Sequence, residues 1–119
     1  MTNRHLFYKI EQIMDQLSRI EEIILLAVLQ LGADAYGVTI RNRLEELTGR
    51  SHSVGAIYIP LDRLAARGFL SVRQGNPTRE RGGRRKRYYR VTPDGLQALR
   101  AAKRQHDAIW EQTHLPEGV

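Results

Sequence analysis

The chain has 119 residues, 41% hydrophobic and 27% charged, with no cysteine and a formal net charge of +6. One globular domain with an ordinary core is expected, and disulfides, thiolate metal sites and cysteine nucleophiles are excluded. The N-terminus lacks a signal-peptide layout, and the longest apolar run, Ile23–Leu29, is too short to span a bilayer, so a cytoplasmic protein is expected.

The charge is unevenly placed. Residues 1–62 carry six basic and eight acidic residues; residues 63–119 carry thirteen basic and five acidic. A cationic second half points to a polyanion partner.

Residues 1–18 read as an N-terminal segment. Leu6, Ile10, Ile13, Met14 and Leu17 recur at helical spacing and predict an amphipathic helix over about 4–17. Ser18 and Glu21 then form the pattern of a capping box. The next predicted helix, about 19–31, is apolar nearly all round, which requires burial on several sides. A domain of this size has little interior for it, so part of it is expected to face a second subunit. Gly32 ends it.

A helix over 35–47 follows, with Val38, Ile40, Leu44 and Leu47 expected inward, and Gly49 closes it. Ser51 and Ser53 are candidate caps for a helix over 54–68, in which Ile57, Leu61 and Leu64 share one face. Pro60 removes a backbone donor inside it, which predicts a local distortion or a later effective start. Gly68 stops it.

Two short strands are expected at about 69–73 and 87–92. Leu70, Val72, Tyr89 and Val91 would face the core, with Lys86, Tyr88 and Arg90 outward. Between them lies a polar loop rich in glycine and arginine; Arg79–Arg90 carries seven basic residues against one acid. Thr92-Pro93-Asp94 is a strong helix start, and the last helix runs to about Gln112. Its apolar stripe of Leu96, Leu99, Ala102, Ile109 and Trp110 is incomplete, which suggests dimerisation.

A helix-turn-helix followed directly by a basic hairpin is the layout of a winged-helix DNA-binding domain. The expected fold is mainly α with a small two-stranded β-wing, a winged helix-turn-helix over 19–92 with dimerisation helices on either side, the C-terminal one over 93–114. The helix 54–68 would be the recognition helix, whose N-terminal residues reach base edges in the major groove. Its candidate DNA contacts are Ser53, Gly55, Ala56, Tyr58, Ile59 and Arg63. Ala56 and Ile59 suit thymine methyls, and Arg63 suits guanine or phosphate. In the wing, Arg84 and Arg85 suit a narrow minor groove, Lys86, Arg87, Arg90 and Tyr88 suit phosphates, and Arg79 and Arg81 are further candidate DNA contacts. Ile20, Ile24, Val28, Leu96, Leu99, Ala102, His106, Ile109 and Trp110 are the candidate dimer interface, and Trp110 is also a candidate for stacking on an aromatic ligand. His5, His52, His106 and His114 show no metal-ligand spacing. No nucleophile elbow, phosphate loop or metalloprotease motif is present, so neither a cofactor nor catalysis is expected.

Four segments taken in order resemble the PadR family of transcriptional regulators. They are the apolar helix 20–31, Ala35-Tyr36-Gly37, the stretch GAIY…LDRLAARGFL (55–70) and GGRRKRYYRVTPDG (82–95). The single short C-terminal helix is similar to that of compact members. The resemblance implies a homodimer on a pseudo-palindromic operator, usually a repressor, with the C-terminal helix packed on the partner's first helix. It also implies that a small, often aromatic molecule releases DNA in some members. Ala56 stands where threonine is frequent, Ile59-Pro60 where tyrosine often precedes proline, and Asp62 where a basic residue is common. Two other readings remain open at this stage. One is a non-specific nucleic-acid binder using the basic wing. The other is a winged-helix protein-interaction module.

Overall fold

The computed structural model describes residues 16–77 and 85–118. The helix expected over 4–17 therefore lies outside the described residues, except for Gln16 and Leu17, which are not helical. Four helices and two strands follow. They are α1 (Arg19–Leu31), α2 (Gly37–Thr48), α3 (Val54–Ala66), β1 (Leu70–Pro77), β2 (Arg85–Val91) and α4 (Pro93–Glu111), with a 3-10 turn at Gly32–Asp34.

The start of α1 is fixed as its sequence predicts. The Ser18 hydroxyl accepts from the Glu21 backbone N–H at 3.2 Å, and the Ser18 N–H donates to the Glu21 carboxylate at 2.8 Å. Glu21 is buried and paired with Arg67, 3.1 Å away, from beyond the end of α3. Arg67 also donates to the Gln16 carbonyl and lies 4.7 Å from the Phe69 ring centroid. Burial alone pushes the Glu21 carboxyl up, but hydrogen bonding from Ser18 and the neighbouring guanidinium outweigh it and hold it below its ordinary value.

The core is built from Ile24, Leu25, Ala27 and Val28 of α1, Ile40 and Leu44 of α2, Ile57, Leu61 and Leu64 of α3, and Leu70, Tyr89, Val91 and Leu99. Helix α1 is central: it packs against α2, α3, β2 and α4. This explains its near-uniform apolarity without a partner chain on most sides. Only Leu26 and Leu29 are left substantially exposed.

Several expectations are corrected. Helix α2 begins at Gly37 because Ala35 and Tyr36 are extended and pair with the sheet: Tyr36 bridges Tyr88, and Tyr89 N–H donates to the Ala35 carbonyl at 2.9 Å. Val38 and Leu47 are exposed, since the buried stripe of this short helix is only Ile40 and Leu44 wide. Pro60 neither delays nor interrupts α3, which is continuous from Val54, and its ring is buried in the core. The Ser53 hydroxyl caps the helix by accepting from Ala56 N–H at 3.1 Å. Ser51 instead donates to Glu45 at 3.0 Å.

The strands outrun their predicted ends. Register runs from Leu70↔Val91 to Gln74↔Arg87, with an irregularity before Pro77↔Arg85. Proline is tolerated there because a bulge relaxes the demand for a ladder donor. Val72 faces the same side as Leu70 but is exposed, while its cross-strand partner Tyr89 is buried in the core. Gly49 and Gly68, at φ 71° and 82°, turn the chain after α2 and α3 in a conformation few other residues adopt. The start of α4 is capped by Thr92, which accepts from Gly95 N–H at 3.1 Å, and Pro93 occupies its first turn. No helix among the described residues is long and apolar enough to cross a membrane.

Candidate nucleic-acid interface

The outward face of α3 and the hairpin lie beside each other and present different chemistry. The exposed residues of α3 include Val54, Gly55, Ala56, Ile59 and Arg63. Ile59 is 60% exposed and Val54 54% exposed. A surface helix with apolar side chains turned to water is costly unless something covers them. Nothing surrounds Gly55 within contact distance, so the backbone there is open to close approach. Arg63 is exposed on the same side.

Tyr58 is placed differently from its neighbours. It is half-buried, and its hydroxyl packs over Gly37 at the start of α2. A side chain at position 37 would collide with it. Tyr58 therefore sets the spacing of the two helices of the helix-turn-helix.

The wing is anchored by an alternation of rings and cations. Lys86 Nζ lies 4.2 Å from the Tyr36 centroid. Tyr36 meets Tyr88 edge to face at 5.5 Å. The Arg73 guanidinium covers Tyr88 at 4.8 Å. Each contact of this kind is modest; together they tie both strands to the start of α2. Lys86 and Tyr88 are thus half-buried parts of a brace, while Arg85 is exposed toward the tip. Arg79, Arg81 and Arg84 lie outside the described residues. Neither Arg73 nor Tyr36 is among the DNA contacts expected from sequence, although Tyr36 lies in a segment that carries the family resemblance. The alternation that places Tyr88 outward, carried across to its cross-strand partner Arg73, was the available signal.

Arg87 is on the opposite face of the hairpin, toward α3. It lies 3.5 Å from Asp62 and 5.7 Å from the Tyr89 ring centroid. Tyr89 is buried at 3% exposure, and its hydroxyl has no hydrogen-bond partner among the described residues. Burial pushes its phenol up; Arg87 acts against this, and Asp62 and Tyr58 add to it.

The expected dimer residues divide into two groups. Ile24, Val28 and Leu99 are buried in the chain's own core and are not available to a partner. Sequence periodicity marks which residues are covered; it does not say by which chain. Ile20, Leu96 and Ala102 are half-buried, and His106, Ile109 and Trp110 are exposed. His106 and Trp110 lie side by side with ring centroids 6.2 Å apart. A groove of about 670 Å³ between the chain before α1 and the first half of α4 is lined by Leu17, Arg67, Phe69, Ala98 and Ala102 among others, and Trp110 is not part of it. The described residues contain no cluster of three or more histidine or acidic side chains able to hold a metal.

Residues 25–101 match the model of the transcriptional regulator PadR-like family. Solved structures with the same fold include a PadR-like transcription factor from Bacteroides fragilis, 23% identical with TM-score 0.65, covering 90% of this chain and 93% of that one. A PadR family transcription regulator from Clostridium difficile is 25% identical with TM-score 0.61, covering 76% and 91%. A PadR-like transcriptional regulator from Bacillus cereus is 23% identical with TM-score 0.63, covering 77% and 84%. No curated protein matches.

Proposed function

The chain belongs to the PadR-like family of transcriptional regulators, and on that premise we propose that it is a sequence-specific DNA-binding repressor acting as a homodimer on a pseudo-palindromic operator. The observation that carries the reading is the exposed face of α3. It offers Val54, Ala56 and Ile59 to solvent beside a cationic hairpin, with Arg63 on the same side. Such a face suits thymine methyls in the major groove, with Arg63 reaching guanine or phosphate. The hairpin supplies sequence-independent attraction: Arg85 toward the tip, with Lys86 and Arg73 held against rings at its base.

Homodimer formation is supported by the apolar residues the chain leaves uncovered. Leu26 and Leu29 of α1 and Ile109 and Trp110 of α4 are each at least 40% exposed. Packing of α4 on the partner's α1 would cover both sets. It would also place two recognition helices on one side of the dimer, a geometry that reads half-sites about one helical turn apart.

Fluorescence anisotropy on DNA from upstream of the protein's own coding sequence and on a shuffled duplex, across a salt series, tests the reading. A preference of about a thousandfold is expected at moderate salt. Equal affinity for both duplexes would leave either an operator elsewhere or a non-specific binder, which selection from a random-sequence pool separates.

A further inference from the structure

Asp62 is the sole acidic residue between Glu46 and Glu80. It stands on α3 at i+7 from Gly55 and i+3 from Ile59, on the helix's exposed face. Its carboxylate turns toward the wing and pairs with Arg87 at 3.5 Å; the two side chains are 60% and 44% exposed. The pair therefore links the recognition helix to the second wing strand.

That link has a defined place in the proposed DNA-bound arrangement, on which this inference rests. A recognition helix in the major groove and a wing in the adjacent minor groove have one sugar-phosphate backbone between them. In that arrangement Arg87 would face a phosphate of that backbone, with Asp62 beside it as a competing partner. We propose that Asp62 is a positioning residue that restrains the sequence-independent part of DNA binding: it holds Arg87 in an ion pair and so competes with the phosphate backbone for that guanidinium. A regulator gains from this, because weakening attraction to every duplex leaves base contacts to decide where it resides. An exposed pair of this kind is weak enough for a phosphate to compete with it.

The experiment uses the full chain and a labelled 25-base-pair duplex of arbitrary sequence, so no operator is needed. Asp62→Asn keeps the shape and removes the charge. It is expected to bind this duplex about three- to tenfold more tightly at 100 mM salt, with a slope of log affinity against log salt steeper by about one. In the Arg87→Ala background the same substitution is expected to lose most of its gain. Unfolding temperatures of wild type and Asp62→Asn are measured alongside and should agree within about 2 °C, as expected for an exposed site. Unchanged or weaker binding by Asp62→Asn overturns the proposal, as does a gain that persists in full without Arg87. A wild-type chain that binds no duplex even at 20 mM salt overturns the DNA-binding reading itself, which separates the two failures.

Discussion

Gly95 packs tightly against Phe69, just before β1, and against Val91, and replacing it by alanine tests that packing. The residue is buried in the first turn of α4. A methyl group there would sit 2.9 Å from Val91 Cγ1, 3.2 Å from the Phe69 carbonyl carbon and nearer still to the Phe69 oxygen. That oxygen is not free to retreat: it accepts from Thr92 N–H at 3.1 Å, and the Thr92 hydroxyl donates to the Gly68 carbonyl at 2.6 Å. Overpacking against a fixed backbone costs about 1–3 kcal/mol. Alanine returns up to about 1 kcal/mol through helix propensity. The balance is a loss of about 1–2 kcal/mol, which for a domain of this size lowers the midpoint of thermal unfolding by about 4–10 °C. Circular dichroism at 222 nm reads it directly. An unchanged or raised midpoint would refute the reasoning, because helix propensity would then have outweighed a contact that is not as close as described.

Four further outcomes are expected. Tyr89→Phe removes a buried hydroxyl that has no partner among the described residues; urea unfolding should show stability within about 0.5 kcal/mol of wild type or above it, and a loss beyond about 1 kcal/mol would mean the hydroxyl is bonded. The Glu21 carboxyl is held below its ordinary value of 4.5. Its contribution is therefore complete above the unfolded value and is lost as pH falls through the folded one. Stability measured from pH 6 to pH 3 should fall less steeply below about 4.5 in Glu21→Gln than in wild type; parallel profiles would contradict this. Arg85→Ala should weaken binding to every duplex and flatten the salt slope by about one in anisotropy titrations, whereas an unchanged slope would remove Arg85 from the phosphate contacts. Trp110→Ala should shift the assembly toward monomer in sedimentation equilibrium with its helical content intact, and an unaltered dimer would exclude Trp110 from the interface.

The parts of the fold governed by local chemistry were legible in the chain. Ser18 with Glu21, Ser53, and Thr92-Pro93 act as caps at the helix starts they predict, because capping depends on residues within one turn. The core face of α3 is likewise a matter of spacing. What was not legible depends on contacts distant in sequence. Ala35 and Tyr36 read as helix but are extended, since they pair with β2 more than fifty residues later. Gly75-Asn76-Pro77 read as part of the loop but lie within β1, where an irregularity carries the chain from Gln74↔Arg87 to Pro77↔Arg85. Ile24 and Val28 read as interface because an all-round apolar helix looked too large for one domain, yet four other elements of the same chain pack against it. At the candidate site, charge marked the wing from sequence. The ion pair of Asp62 with Arg87 and the approach of Tyr36 to Tyr88 arise from tertiary contact and carry no linear signal, whereas strand alternation already puts Arg73 beside Tyr88.

The central claim is that α3 reads sequence in a two-fold arrangement. Selection of binding sites from a random-sequence duplex pool by the full chain tests it most directly. The account predicts enrichment of one inverted repeat whose half-sites lie about one helical turn apart, with thymine prominent where Ala56 and Ile59 would meet the major groove. A pool that is retained by the protein but shows no enriched motif would contradict it and leave a sequence-independent DNA binder.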